Sequence, residues 1–265
     1  MNTSIRAHGY PSDGQGEAQQ AEDVYASGEY LAKNPDWHVE ESPWKAQQIV
    51  RMLARHHLKP KRICEIGCGV GEVLVQLQAL LQPNTVFEGF DVSPQAIQKS
   101  RARSNAKLRF TLGDGLDQPA LGFDLVLVLD VFEHLEDYFS FLRNIKDKGE
   151  LTMFHIPLDL SVQTIFRKYG LLKRRDLYYH LHYFTKDTAL RTLEELGYTV
   201  VDYTFTPRNL DRPVNWMHRL LKLPRQIGFT LNQEFTVRLL GGYSLMVLAS
   251  GDGSVRNKEV SRTGR

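Results

Sequence analysis

The sequence predicts an α/β domain built on a doubly wound, mostly parallel sheet, and three observations carry that expectation. An apolar stretch, Ile63 to Ile66, runs directly into Gly67, Gly69 and Gly71. A second, Thr85 to Phe90, ends at Asp91, twenty residues past the last of those glycines. A third, Phe123 to Leu129, is apolar at six of its seven positions, as a central parallel strand buried on both faces requires.

The chain begins with a polar, Gly- and Gln-rich segment, residues 1–24, which is expected to be disordered. Residues 25–59 then read as a helical cap, with a helix from Ser42 to Leu58 that is entered through Pro43 at its first position. Tyr25, Tyr30 and Trp37 lie just ahead of it. They suit either a lid or packing against the sheet edge.

At the first strand-to-helix turn the backbone must approach a ligand closely, which glycine permits. The spacing is not that of a dinucleotide fingerprint, because its third glycine falls where this chain has Glu72. Glu65 also precedes the first glycine, where a pyrophosphate would be repelled and a cationic amino-acid group would find a partner. The second strand brings Asp91 to the position that accepts ribose hydroxyls in such sheets. Leu108 to Leu112 reads as a third strand followed by Gly113-Asp114-Gly115, where Asp114 suits either a ligand contact or an Asp-Gly turn. The fourth strand leads into Asp130-Val131-Phe132-Glu133-His134-Leu135, and Gly149 to Phe154 supplies a fifth.

The E-x-G-x-G-x-G run from Glu65 to Gly71 resembles motif I of the class I S-adenosylmethionine-dependent methyltransferases. The D-x-x-E-H segment from Asp130 to His134 is similar to that of the methyltransferase 11 group, the ubiquinone and menaquinone biosynthesis type. The resemblance covers Trp44 to Phe154. It implies a Rossmann-like fold of seven strands in the order 3-2-1-4-5-7-6 with the last antiparallel, and S-adenosyl-L-methionine as cofactor. It places Glu65, Gly67, Gly69 and Gly71 around the amino-acid portion, Asp91 at the ribose, Asp114 near adenine and Asp130 by the glycine loop.

After the fifth strand the chain carries two additions, residues 158–184 and 206–238, on either side of a helix and a sixth strand. The first ends in Tyr178-Tyr179-His180-Leu181-His182-Tyr183-Phe184-Thr185, with Thr185 as the N-cap of a helix to Leu196, Asp187 in its first turn and Gly197 after it. A His-x-Phe-Thr run recurs in the family and implies His182 at the rim of a substrate cleft. The second addition falls between strands at Tyr198 to Phe205 and Gly242 to Ala249. It interleaves Arg208, Arg212, His218, Arg219, Lys222 and Arg225 with apolar residues and reads as a short amphipathic helix bounded by Pro213 and Pro224. A substrate lid, a homodimer contact and a patch leaning on anionic lipid headgroups are its competing readings. As a lid, its arginines would suit a carboxylate or phosphate.

Composition sets limits. The chain of 265 residues is long enough for one elaborated domain, taken as residues 25–250 with a flexible tail at 251–265. No stretch offers the ~20 apolar residues of a membrane span, and the N-terminus lacks a signal-peptide core, so a cytoplasmic location is expected. Cys64 and Cys68 alone make neither a disulfide framework nor a metal knuckle. The net charge of +2 does not argue for nucleic acid.

Methyl transfer to oxygen, less readily to nitrogen, of a small anionic or glycan-type metabolite is the expected reaction. His134 and His182 are the candidate bases, with His155 behind them. Asp130, Glu133 and His134 could together face a divalent metal, but one first-turn cluster without a second ligand segment does not make a site, and no metal is expected. Two other functions share the fold: a macromolecular methyltransferase, and a non-catalytic binding or assembly partner.

Overall fold

In the computed structural model, described for residues 39–120, 122–167, 169–207 and 222–251 together with Ser27, Gly28, Tyr30, Asn34 and Trp37, seven strands form one sheet. They are β1 (Arg62–Ile66), β2 (Val86–Asp91), β3 (Leu108–Leu112), β4 (Phe123–Leu129), β5 (Gly149–Pro157), β6 (Thr199–Thr206) and β7 (Ser244–Ser250). Their order is β3-β2-β1-β4-β5-β7-β6, as expected. The first five pair in parallel, and β7 runs antiparallel to both β5 and β6.

The alternation of side chains along β1 and β4 divides the core into two layers. Cys64, Ile66, Val126 and Val128 face one side with Phe154 and Leu193; Ile63, Leu125 and Leu127 face the other with Ile49 and Leu74. Both faces are thus covered, which is why β4 is a continuous apolar run. Each such buried aliphatic or aromatic side chain contributes roughly 1.5–3 kcal/mol relative to exposure.

Helix α1 (Ser42–Arg55) starts where expected, carries Pro43 in its first turn and buries Ala46, Ile49 and Leu53 at helical spacing; α2 (Glu72–Leu80) follows the glycine turn and α3 (Pro94–Arg101) follows β2. It stops at Arg55 rather than Leu58 because His57 turns into the left-handed region. A 3-10 turn, Phe132–His134, follows β4, and α4 (Tyr138–Ile145) follows that. The first addition holds α5 (Val162–Phe166) and α6 (Gly170–Tyr178), and α7 (Lys186–Glu195) is capped by Thr185 as expected.

Two boundaries differ from expectation for physical reasons. The fifth strand continues past Phe154 to Pro157 because β7 pairs with it along that length. The seventh begins at Ser244, since Gly241 and Gly242 both take positive φ. In the second addition α8 (Lys222–Leu231) carries Pro224 in its first turn, where its missing N–H costs nothing, while most of the expected helix between Pro213 and Pro224 lies outside the described residues. Helix α9 (Gln233–Leu240) follows, capped by Asn232. Residues 208–221, the N-terminal segment to Tyr25 and the tail from residue 252 lie outside the described residues. No described helix is long and apolar enough to cross a membrane.

Candidate active site

A cavity of about 1350 Å³ opens at the carboxyl ends of β1, β2, β4 and β5, the switch-point position where ligands of open α/β sheets bind. It exceeds the usual 300–1,000 Å³ of a single-ligand pocket, leaving room for two reactants.

The glycine turn forms its floor. Gly67 and Cys68 donate their N–H groups to the carbonyl of Phe90 at 2.8 and 2.9 Å, fastening the turn to the end of β2. Gly67, Gly69 and Gly71 all take positive φ. A Cβ at Gly67 would lie 2.6 Å from Val131, and one at Gly71 only 2.2 Å from Phe110, so these two positions exclude other residues on space as well as dihedral. Gly67 and Gly69 line the cavity, as do Glu65, Asp91, Asp114 and Asp130. Gly71 does not, and its role is to let Phe110 pack beneath the turn.

Glu65 is buried, with Oε2 lacking any hydrogen-bond partner. Burial pushes its carboxyl up to about 8, against the opposing pull of Lys45. An orphaned carboxylate oxygen facing a cavity fits a cationic amino group. Asp91 is also held above the usual carboxylate range by burial, although the N–H groups of Ser93 and Gly69 donate to it at 2.8 and 2.7 Å. Asp114 does both things the sequence allowed: it lines the cavity, and its Oδ1 accepts from the N–H of Leu116 at 3.0 Å. Tyr30 and Trp37 line the cavity with ring centroids 5.2 Å apart. Trp37 leans within 3.4 Å of the position a Cβ would take at Gly69.

Asp130 sits at the end of β4 with φ +54°. Burial opposes its charge, yet His155 and Lys45 outweigh that and hold its carboxyl well below the usual range. Its Oδ1 is 2.7 Å from Nδ1 of His155 and its Oδ2 pairs with Lys45 of α1. Since both oxygens have cationic or ring N–H partners, Asp130 braces the turn from beside it. Nε2 of His155 is 3.0 Å from Thr206 Oγ1, so both ring nitrogens are engaged within the fold, although the ring also lines the cavity.

The far wall joins two segments. The N–H groups of Leu181 and His182 donate to the carbonyl of Glu133 at 2.8 and 3.0 Å, docking the chain after α6 onto the turn after β4. His134 lines the cavity, and its Nδ1 is 3.2 Å from the Tyr179 carbonyl, presented by a residue at φ +59°. Burial, with His180 adding to it, pushes the His134 imidazole down to about 3, so it is neutral and a weak proton acceptor. His182 does not reach the cavity. Its Nε2 donates to the Leu135 carbonyl at 2.8 Å and its ring lies 4.6 Å from that of Tyr138. His180, two residues earlier, lines the cavity instead, with Nδ1 2.6 Å from Oδ2 of buried Asp159, whose Oδ1 pairs with Arg174 at 3.1 Å. His180 and His182 would face the same way in a regular strand, but this segment is irregular and follows Tyr179 at φ +59°, so only His180 reaches the cavity.

Glu133 is fully buried, with neither carboxylate oxygen hydrogen-bonded. Burial and the nearby Asp130 hold its carboxyl well above the ordinary range. One ligand atom from each of Glu133, His134 and His180 falls within 4.8 Å of the others.

At the β5–β7 side the cavity meets Arg225 of α8 and Tyr243. Arg225 is buried; its Nη2 donates to Gln163 Oε1 at 3.3 Å and the Leu240 carbonyl at 3.4 Å, while Nη1 has no acceptor among the described residues. The Tyr243 hydroxyl also lacks a partner. Burial lowers the Arg225 pKa, and the neighbouring Arg167 adds to this.

The profile of the family described as "Methyltransferase domain" matches residues 39–203. Ajmaline N-methyltransferase from Rauvolfia serpentina is 31% identical over 115 residues, 39% of this chain and 39% of that one. Norajmaline N-methyltransferase from the same plant is 34% identical over 92 residues, 32% of this chain and 31% of the relative. The matches thus span well under half of these relatives' length. Among solved structures, the magnesium protoporphyrin IX methyltransferase of Synechocystis PCC 6803 with bound SAH aligns with a TM-score of 0.57 at 14% identity, covering 88% of this chain and 98% of that one. A methyltransferase described in complex with the Haloferax volcanii Trm112 activator aligns with a TM-score of 0.59 at 15% identity, covering 87% and 97%. The matched span shows that this chain belongs to the methyltransferase domain family, and the sheet order and glycine turn agree with that membership.

Proposed function

We propose that the chain methylates an oxygen, less readily a nitrogen, of a small anionic acceptor. The observation that carries the acceptor class is Arg225: a buried guanidinium with Nη1 lacking an acceptor, beside an unpaired Tyr243 hydroxyl on the cavity wall. A buried cation left unpaired is costly, and a carboxylate or phosphate would satisfy it.

The residues present fit the cofactor. Glu65 Oε2 would take its ammonium, Gly67 and Gly69 give close backbone approach, Asp91 would accept ribose hydroxyls and Asp114 stands at the adenine side. S-adenosylmethionine supplies an electrophilic sulfonium methyl when bound. The chain itself aligns and encloses. The glycine turn and Arg225 line one cavity, whose volume of about 1350 Å³ leaves room for a small acceptor beside the cofactor. An acceptor hydroxyl placed against the far wall would meet His180, the ring oriented there by Asp159, to receive its proton.

Calorimetry with SAM and SAH on the parent, Asp91→Ala and Gly69→Val tests the cofactor half. Micromolar binding lost in both variants is expected, and no binding to the parent overturns the reading. Arg225→Gln should keep SAH affinity yet lose methylation of carboxylate and phosphate acceptors. Unchanged turnover of these acceptors in that variant would overturn the anionic class.

A further inference from the structure

We propose that Glu133, His134 and His180 form a binding site for one divalent transition-metal ion at the cavity wall. The proposal stands on geometry alone and does not depend on methyl transfer.

Two chain segments are built to converge there. The carbonyl of Glu133 receives the N–H groups of Leu181 and His182, which locks the segment carrying His180 against the turn carrying Glu133 and His134. Each imidazole has its Nδ1 placed against an oxygen: His134 against the Tyr179 carbonyl at 3.2 Å, and His180 against Asp159 at 2.6 Å. With Nδ1–H donated, Nε2 carries the lone pair, which is the tautomer a metal needs. Asp159 is in turn held by Arg174 at 3.1 Å. Carboxylate and carbonyl partners behind ligating histidines are the arrangement that fixes ring orientation in metal sites.

The independent sign of a missing ligand is Glu133. Its carboxylate is completely buried with neither oxygen hydrogen-bonded, although buried carboxylates are paired, protonated or bound to a cation. Its Oε1 is 3.8 Å from His134 Nε2. Ions bound at 2.0–2.2 Å hold their ligands roughly 3–4 Å apart, so the three side chains would close by about an ångström. Two imidazoles and one carboxylate suit Mn²⁺, Fe²⁺, Co²⁺ or Zn²⁺ and disfavour Mg²⁺ and Ca²⁺, which take oxygen ligands. Three protein ligands facing a cavity leave open positions for an exogenous oxygen. Proton acceptance by His180 and metal ligation use the same lone pair, so one excludes the other.

The test is a titration of chelator-treated full-length protein with Co²⁺, followed by visible absorption and calorimetry. One Co²⁺ per chain, displaced by Zn²⁺, is expected. Glu133→Gln and His180→Ala should abolish binding, and Asp159→Asn, which keeps all three ligands, should weaken it by about 10–100-fold. His182→Ala, outside the site, should bind Co²⁺ as the parent does. No Co²⁺ binding by the parent overturns the proposal, as does binding of equal affinity in Asp159→Asn and Glu133→Gln.

Discussion

Asp159 holds Nδ1 of His180 at 2.6 Å with both side chains buried, and this pairing sets which nitrogen of His180 faces the cavity. Asp159→Asn presents an amide that can donate as well as accept, so the ring is free to reverse its tautomer. Methyl transfer should fall by about 10–100-fold while SAH affinity stays within about twofold. A parallel loss of SAH binding would instead indicate collapse of the wall.

Glu65 makes cofactor binding release a proton. Its folded pKa, raised to about 8 by burial, leaves the carboxyl protonated at pH 7, and an ammonium arriving at Oε2 favours the charged form. Calorimetry of SAH binding at pH 7 in two buffers of different ionisation enthalpy should show nearly one proton released, and none in Glu65→Gln. The free protein shows the complement. A carboxyl raised on folding imposes no cost below its unfolded pKa, and a growing one as pH rises towards 8. Glu65→Gln should therefore raise the melting temperature at pH 8 and leave it unchanged at pH 4.

Gly71→Ala tests space rather than ligand contact. The new Cβ would meet Phe110 at 2.2 Å from a backbone at φ +77°, and overpacking with left-handed strain should cost about 2–4 kcal/mol in urea unfolding. Phe110→Leu in the same chain should recover part of that loss; additive losses would show that dihedral strain alone is responsible.

Asp202 joins β6 to the end of α1. Burial works against its charge, but hydrogen bonds with His56 at 2.8 Å and Arg55 at 2.9 Å outweigh it and lower its pKa. A carboxyl lowered on folding stabilises above its unfolded pKa, and that contribution is lost as pH falls through the folded value. Asp202→Asn should cost about 1 kcal/mol at pH 7, and the difference from the parent should vanish in acid.

The sheet was legible because its signals are local: β3 and β4 lie where the apolar runs predicted, and Thr185 caps α7. The glycine turn with Glu65 and Asp91 was legible for the same reason, as strand ends and turns follow each other within a few residues. Asp130 lines the cavity, but its partners could not be read from the sequence, since Lys45 and His155 reach it from α1 and β5. The far wall was the least legible. His182 carried the family pattern, yet whether it or His180 faces the cavity depends on the turn at Tyr179, a positive-φ position that nothing in the sequence announces. The second ligand segment for Glu133 is likewise created by two long-range hydrogen bonds.

The helices over the acceptor side lean chiefly on one another: α8 on α9, α9 on α5, and α5 on α6. Phe229 and Val237 anchor α8 and α9 in the core beside Phe205 and Tyr243, whereas α5 and α6 bury no side chain and leave Phe166 86% exposed, so little apolar burial ties the α5–α6 pair to the sheet. Such a group is a cooperative opening unit, whose free energy of release lies below that of global unfolding. Amide protons of α5 and α6 should therefore exchange ahead of those in β1 and β4, opening the acceptor side without disturbance of the glycine turn.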